Sequence, residues 1–229
     1  MQGELERALA TICDEPVRIA GAGRTDAGVH AIGQVISFRT ASALDGATLG
    51  RGVNALLPED IAVSAVEACG KDFHARFSAT GRTYEYRIRT GPTRDPLERW
   101  AYHLPAALEV EAMRAASACL IGRHDVSAFA SGPGGERHVR RADWSAEGDL
   151  LRFEIEADAF LHGMARAIVG TLLWVGRGRI GVDRFGEIVR SRERSQAGPN
   201  APARGLCLTR VSYAEDPIRR TMTRARESH

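Results

Sequence analysis

Asp26 is the residue of this chain best placed to do chemistry. The run Gly23-Arg24-Thr25-Asp26-Ala27-Gly28-Val29-His30 sets one carboxylate in a glycine-rich turn between two segments of strand character. Val17-Arg18-Ile19-Ala20 precedes it, and Gln34-Val35-Ile36-Ser37-Phe38 alternates with a period of two after it, so sheet is expected to hold the turn at both ends. A carboxylate fixed there can serve as a nucleophile or a general base. The same residue type also forms turns through side-chain-to-backbone bonds, and spacing alone leaves both readings open. Gly21-Ala22-Gly23 begins like a dinucleotide fingerprint, but Asp26 takes the third glycine position and the chain then returns to strand. No phosphate loop, GxSxG elbow or HExxH occurs. Asp26 is therefore expected to act without a cofactor, and no metal site is expected.

Two other side chains carry chemistry of a matching kind. In Thr83-Tyr84-Glu85-Tyr86-Arg87-Ile88-Arg89 the even positions share one strand face, so on spacing alone Tyr84 reads as core. Arg166 sits in an apolar segment containing Met164, Ala167, Ile168, Thr171, Leu172 and Val175. At about 100° per residue, Arg166 and His162 fall together on the side opposite those residues. That side is either a solvated face or one turned toward a cleft, where a guanidinium would favour an ionised carboxylate. Arg24 can contact phosphate or flank Asp26, while His30 reads equally as a half-buried histidine or an RNA contact. Arg76-Phe77 with Arg82 and Arg87 mixes guanidinium and aromatic groups, as a nucleic-acid groove or an ordinary edge strand would.

The elements that must position these groups alternate between helix and strand. A helix is expected over 2–12, strands near 17–22, 34–39 and 61–66, and a helix near 44–55. A second unit begins with a strand at 83–90. It continues with a helix at 108–120, strands near 137–144 and 150–157, helices near 160–176 and 182–193, and a last strand near 204–213. The domain reading is 1–80 as a first half carrying the Asp26 loop, 81–213 as a second half, and 214–229 as a disordered, arginine-rich tail.

With 229 residues, 44% of them hydrophobic, the chain is long enough for a substantial core. Net charge is only +2, so RNA binding would need a local patch, although Lys71 is the sole lysine and all other basic residues are arginine. Cys13, Cys69, Cys119 and Cys207 form no CxxC and have no histidine at metal spacing, which argues against a zinc site or a disulfide scaffold. Neither a signal peptide nor a membrane span is read, so a cytoplasmic location and no membrane partner are expected.

The octet around Asp26 resembles the active-site motif of the tRNA pseudouridine synthase A family. Further blocks are similar in the family's order: Gly33-Gln34-Val35, Gly52-Val53-Asn54, Asp72-Phe73-His74-Ala75-Arg76-Phe77-Ser78, Arg82-Thr83-Tyr84-Glu85-Tyr86, Phe160-Leu161-His162-Gly163-Met164-Ala165-Arg166, and Gly205-Leu206-Cys207-Leu208. The resemblance implies an α+β pseudouridine synthase fold, in which two related halves with mixed, mainly antiparallel sheets join around a central active-site cleft. It implies isomerisation of uridine to pseudouridine at positions 38 to 40 of the tRNA anticodon stem-loop, no cofactor, and a homodimer. Asp26 stands at the family's catalytic aspartate, Tyr84 at the tyrosine that packs on the uracil, and Arg166 at the basic partner of the aspartate. Arg24 is expected to bind substrate.

Two features depart from the family pattern. Members begin with a further strand and a Tyr-Asp-Gly…Gly-Trp segment ahead of the helix that starts here at Gln2. The 131–141 loop has Glu136-Arg137-His138-Val139-Arg140 where Arg-Thr-Pro is usual. Their expected consequences are a truncated, non-catalytic RNA-binding relative as the alternative function, or a synthase redirected to another RNA.

Overall fold

Alternation builds the central sheet. The computed structural model describes residues 1–214, so the tail expected from 214 onward lies, Ala214 apart, outside the described residues. In β4 (Ala79–Arg89), Tyr84, Tyr86 and Ile88 are buried while Glu85, Arg87 and Arg89 are half-buried on the other face. β8 (Leu150–Ala157) answers in antiparallel register, Ile155 opposite Tyr84, Phe153 opposite Tyr86 and Leu151 opposite Ile88. Apolar partners therefore meet on one face and charged ones on the other.

β1 (Ile19–Gly21), β2 (His30–Ala31), β3 (Ile36–Phe38), β5 (Tyr102–His103), β6 (Gly122–Asp125), β7 (Glu136–Glu147) and β9 (Leu206–Tyr213) complete the strands. A seven-stranded sheet runs β2-β9-β4-β8-β7-β6 with β5 beside β4; β1 and β3 form a separate antiparallel pair. Within the larger sheet, β2 on β9 and β5 on β4 are parallel, while β4–β8, β8–β7 and β7–β6 are antiparallel. With five α-helices among the described residues, the mixed α/β class with a mainly antiparallel sheet is the one expected.

The chain divides into two compact units. Among the described residues the smaller holds 1–24, 35–79 and 213–214; the larger holds 25–34 and 80–212. The Asp26 loop thus groups with the larger unit, whereas the sequence reading places it in the first half.

In the larger unit, α3 (Val110–Ala118), α4 (Met164–Gly176) and α5 (Val182–Ser191) contribute to a core with Phe129, Phe153, Ile155 and Trp144. Trp144 Nε1 donates to Ser117 Oγ (2.9 Å), which donates to the Met113 carbonyl (2.8 Å), so β7 and α3 satisfy each other's polar atoms. α4 departs from the amphipathic expectation: of its 13 residues only Arg166 and Trp174 are not buried.

In the smaller unit, α1 (Gln2–Cys13) and α2 (Gly46–Leu56) enclose Ala8, Leu9, Val17 and Val53. Asp45 caps α2 by accepting from Thr48 N at 2.7 Å. The strand expected near 61–66 does not form. The Asn54 side chain on α2 accepts from Val63 N (2.7 Å) and donates to Val63 O (2.8 Å), doing for one residue what a strand partner would do for several.

Candidate active site

The residues just after Asp26 hold it in place. Val29 N donates to the Asp26 carbonyl at 3.0 Å, and Gly28 turns the chain at φ +80, a left-handed conformation that favours glycine. The chain then enters β2 alongside Cys207 and Leu208 of β9. Ile32 N and Gly33 N both donate to Leu208 O, at 3.0 and 3.1 Å. At Gly33 a Cβ would overlap the Thr209 carbonyl, so only glycine lets the two backbones come this close. The glycine-rich turn is therefore held against the edge of the large sheet.

Arg166 reaches Asp26 from α4. Its Nη1 donates to Asp26 Oδ2 at 2.8 Å across 140 residues of sequence, and its Nε donates to Ala201 O at 2.7 Å. Ala201 N donates back to the Arg166 carbonyl at 2.9 Å. The 197–201 segment lies tight on α4: Gly198 N donates to Thr171 Oγ1 at 2.8 Å, and a Cβ on Gly170 would overlap the Pro199 carbonyl. The guanidinium, its side chain 20% exposed, is thereby fixed before any substrate arrives, and its bond to Asp26 Oδ2 orients the carboxylate.

His162 is the functional neighbour that the sequence placed beside Arg166 but did not assign to the site. Its Nε2 lies 3.4 Å from Asp26 Oδ1, with the imidazole largely exposed. It is not on the helix, which starts at Met164; Gly163 at φ +75 turns the chain first. The turn is pinned by Ser131 N donating to the His162 carbonyl at 2.7 Å. Helical phase gave the right side for this residue although the helix stops short of it.

Tyr84 is 8% exposed on the core face of β4, with the Phe160 ring edge-on at a centroid distance of 4.8 Å. Burial raises its phenol pKa; Arg82 opposes that shift and the Asp26 carboxylate adds to it, which puts the phenol within the electrostatic field of Asp26. Tyr84 is thus packed in the core and also borders the site. Arg82, itself buried, donates to the Asp158 carbonyl at 3.0 Å.

Arg24 belongs to the smaller unit and is exposed, with no ion pair among the described residues. His30 is half-buried against Trp100, ring centroids 4.2 Å apart. Its pKa is lowered by burial and then by Arg99, and its Nε2 has no hydrogen-bond partner among the described residues. Arg87 is committed to Glu85 (2.6 Å) and Glu98 (3.5 Å), whereas Arg76 lies over Phe77 in the smaller unit. No three His, Cys, Asp or Glu side chains among the described residues converge as a metal site.

Chemically, the site is a carboxylate with Oδ2 bonded to a fixed guanidinium and Oδ1 3.4 Å from an exposed imidazole, its charge felt by the buried Tyr84 phenol. That suits attack on, or proton removal from, a planar heterocyclic nucleoside.

Residues 1–78 and 116–214 match the family described as tRNA pseudouridine synthase. The chain is 47% identical over 228 residues to a tRNA pseudouridine synthase A of Chloroflexus aurantiacus, covering 96% of this chain and 82% of that protein. It is 44% identical to the Paraburkholderia xenovorans protein of that name (94% and 82% covered) and 41% identical to that of Myxococcus xanthus (96% and 86%).

Proposed function

We propose, given that this chain belongs to the tRNA pseudouridine synthase family and isomerises uridine to pseudouridine in tRNA, that Asp26 is the catalytic carboxylate and Arg166 its charged partner. In the reaction the N1 to C1′ bond breaks, the held uracil turns, C5 bonds to C1′, C5 loses its proton and N1 gains one. Asp26 Oδ1, the oxygen not bonded to Arg166, attacks either C1′ or C6 and is released unchanged at the end. The Arg166 contact at 2.8 Å carries this reading, because it joins two distant motif blocks at one carboxylate.

Tyr84 packs against the uracil while the glycosidic bond is open. Burial keeps its phenol protonated, which favours the ring as a surface over the oxygen as a base. Arg24 contacts substrate phosphate; its exposure supports that role. An anticodon stem-loop target at positions 38 to 40 and a homodimer rest on the family resemblance. A cytoplasmic location is supported by four free cysteines and by the lack, among the described residues, of any helix long and apolar enough to cross a membrane.

The test is tritium release from tRNA carrying [5-³H]uridine, with the parent chain and Asp26→Ala compared. The parent is expected to release tritium, while the variant keeps tRNA affinity and loses release by at least about a thousandfold. Equal release by both would remove Asp26 from the mechanism.

A further inference from the structure

Arg194 is a half-buried arginine with no carboxylate partner among the described residues. Its guanidinium instead spreads over three uncharged oxygens: Ala197 O at 3.3 Å, Gly198 O at 2.9 Å and Asn200 Oδ1 at 3.1 Å. These belong to a segment without regular structure, Ala197-Gly198-Pro199-Asn200-Ala201, whose carbonyls have no ladder to satisfy them. A planar fork that donates in several fixed directions suits such a job, and a lysine ammonium does not reproduce it.

Two arms leave this segment and end beside Asp26. Along one, Ala201 O receives Arg166 Nε at 2.7 Å and Ala201 N returns a bond to the Arg166 carbonyl. Along the other, Asn200 Nδ2 donates to Ser131 Oγ at 3.4 Å, and Ser131 N holds the His162 carbonyl at 2.7 Å. Both residues that touch the carboxylate are therefore tied to one strap, and the strap is shaped by Arg194.

We propose that Arg194 is a positioning residue for the isomerisation: it fixes the 197–201 strap so that Arg166 and His162 meet the two oxygens of Asp26. This rests on Asp26 and Arg166 acting as proposed above, so the test needs one readout that is independent of turnover.

Arg194→Lys and Arg194→Ala are compared with the parent in steady-state tritium release, and the solvent exchange of the Arg166 Nε–H is followed by NMR. Arg194→Ala is expected to lower kcat about tenfold or more with KM for tRNA within about twofold, and Arg194→Lys to recover little of the loss. Exchange of the Arg166 Nε–H quickens in both. In an Arg166→Ala background, Arg194→Ala should cost clearly less than it does in the parent, because the Arg166 arm is already cut and only the Ser131 arm to His162 remains. If Arg194→Ala does not fold, Asn200→Ala opens the Ser131 arm and removes one of the three acceptors of Arg194 while Ala197 O and Gly198 O keep theirs; it should lower kcat less and leave the Arg166 Nε–H protected.

Unchanged exchange in the Lys variant overturns the proposal, as does a loss confined to KM or one that multiplies fully in the double variant. Faster exchange with kcat intact leaves the strap standing and sinks the catalytic reading of Arg166.

Discussion

The two units satisfy their backbones by different means. In the larger, eight register pairs join β4 to β8 and another eight join β8 to β7, over a core of fully buried Tyr86, Phe129, Phe153, Phe185 and Ile168. In the smaller, single polar side chains do much of this work. Asn54 takes both polar groups of Val63, Glu15 receives Ala41 N and the Thr40 hydroxyl, and Ser37 receives Ala75 N. His74 Nδ1 receives Arg76 N and Phe77 N, while Glu6 receives Ile19 N. Ladder bonds support one another, whereas each of these contacts stands by itself. That contrast gives a reason for Asp26, Arg166, His162 and Tyr84 all belonging to the larger unit: a carboxylate that must meet its partner within tenths of an ångström needs the stiffer frame.

The most demanding test of that contrast is in the larger core. Phe153 is fully buried and packs on Trp144, ring centroids 4.8 Å apart. Phe153→Ala should cost about 3–5 kcal/mol in chemical denaturation, with amide protection falling together across β4, β7 and β8. A loss confined to residues near 153 would show that the larger unit is not cooperative. Asn54→Ala should cost less, about 1–3 kcal/mol, since it leaves two backbone groups of Val63 without their partners. Hydrogen exchange should quicken around Val63 and α2 while the Arg166–Asp26 contact and the large sheet stay protected. Equal deprotection of both units would erase the distinction.

Legibility in the sequence divides by the length of the element and not by the unit that holds it. Strands β4, β8 and β9 and helices α3 to α5 were readable because period-two and helical patterns run long enough to average out local noise. β2 and β5, two residues each, carry no period. The 61–66 segment has strand character, but pairing is decided by what lies alongside it, and there the Asn54 amide takes the place of a ladder. At the site, residue types and motif order singled out Asp26, Tyr84 and Arg166. Spacing could not bring them together, since 140 residues separate Arg166 from Asp26. Nor could it show that Arg166 is one of two unburied residues on an otherwise enclosed helix. Ala201 holds Arg166 through backbone atoms alone, and a backbone contact leaves little trace in residue type.

Acid offers the smallest and most selective perturbation. In the smaller unit several carboxylates are held below their usual range: Glu6 by Gln2 and Ile19 N, Glu15 by the Thr40 hydroxyl and Ala41 N, and Asp45 by the amide and hydroxyl of Thr48. In the larger unit, among the described residues, Asp125 is the carboxylate so lowered, by the hydroxyl and amide of Ser127. A carboxyl group whose folded pKa lies below its unfolded one binds protons more readily when the chain is unfolded. Its contribution is therefore complete above the unfolded value and is lost as pH falls through the folded one. From about pH 4 downward, the smaller unit should lose amide protection before the larger. Glu15→Gln, which keeps an acceptor but cannot titrate, should make its early loss less steep. Simultaneous loss in both units, or a Glu15→Gln profile superimposable on the parent's, would mean that these side-chain contacts do not set the smaller unit's stability and that its small apolar core does.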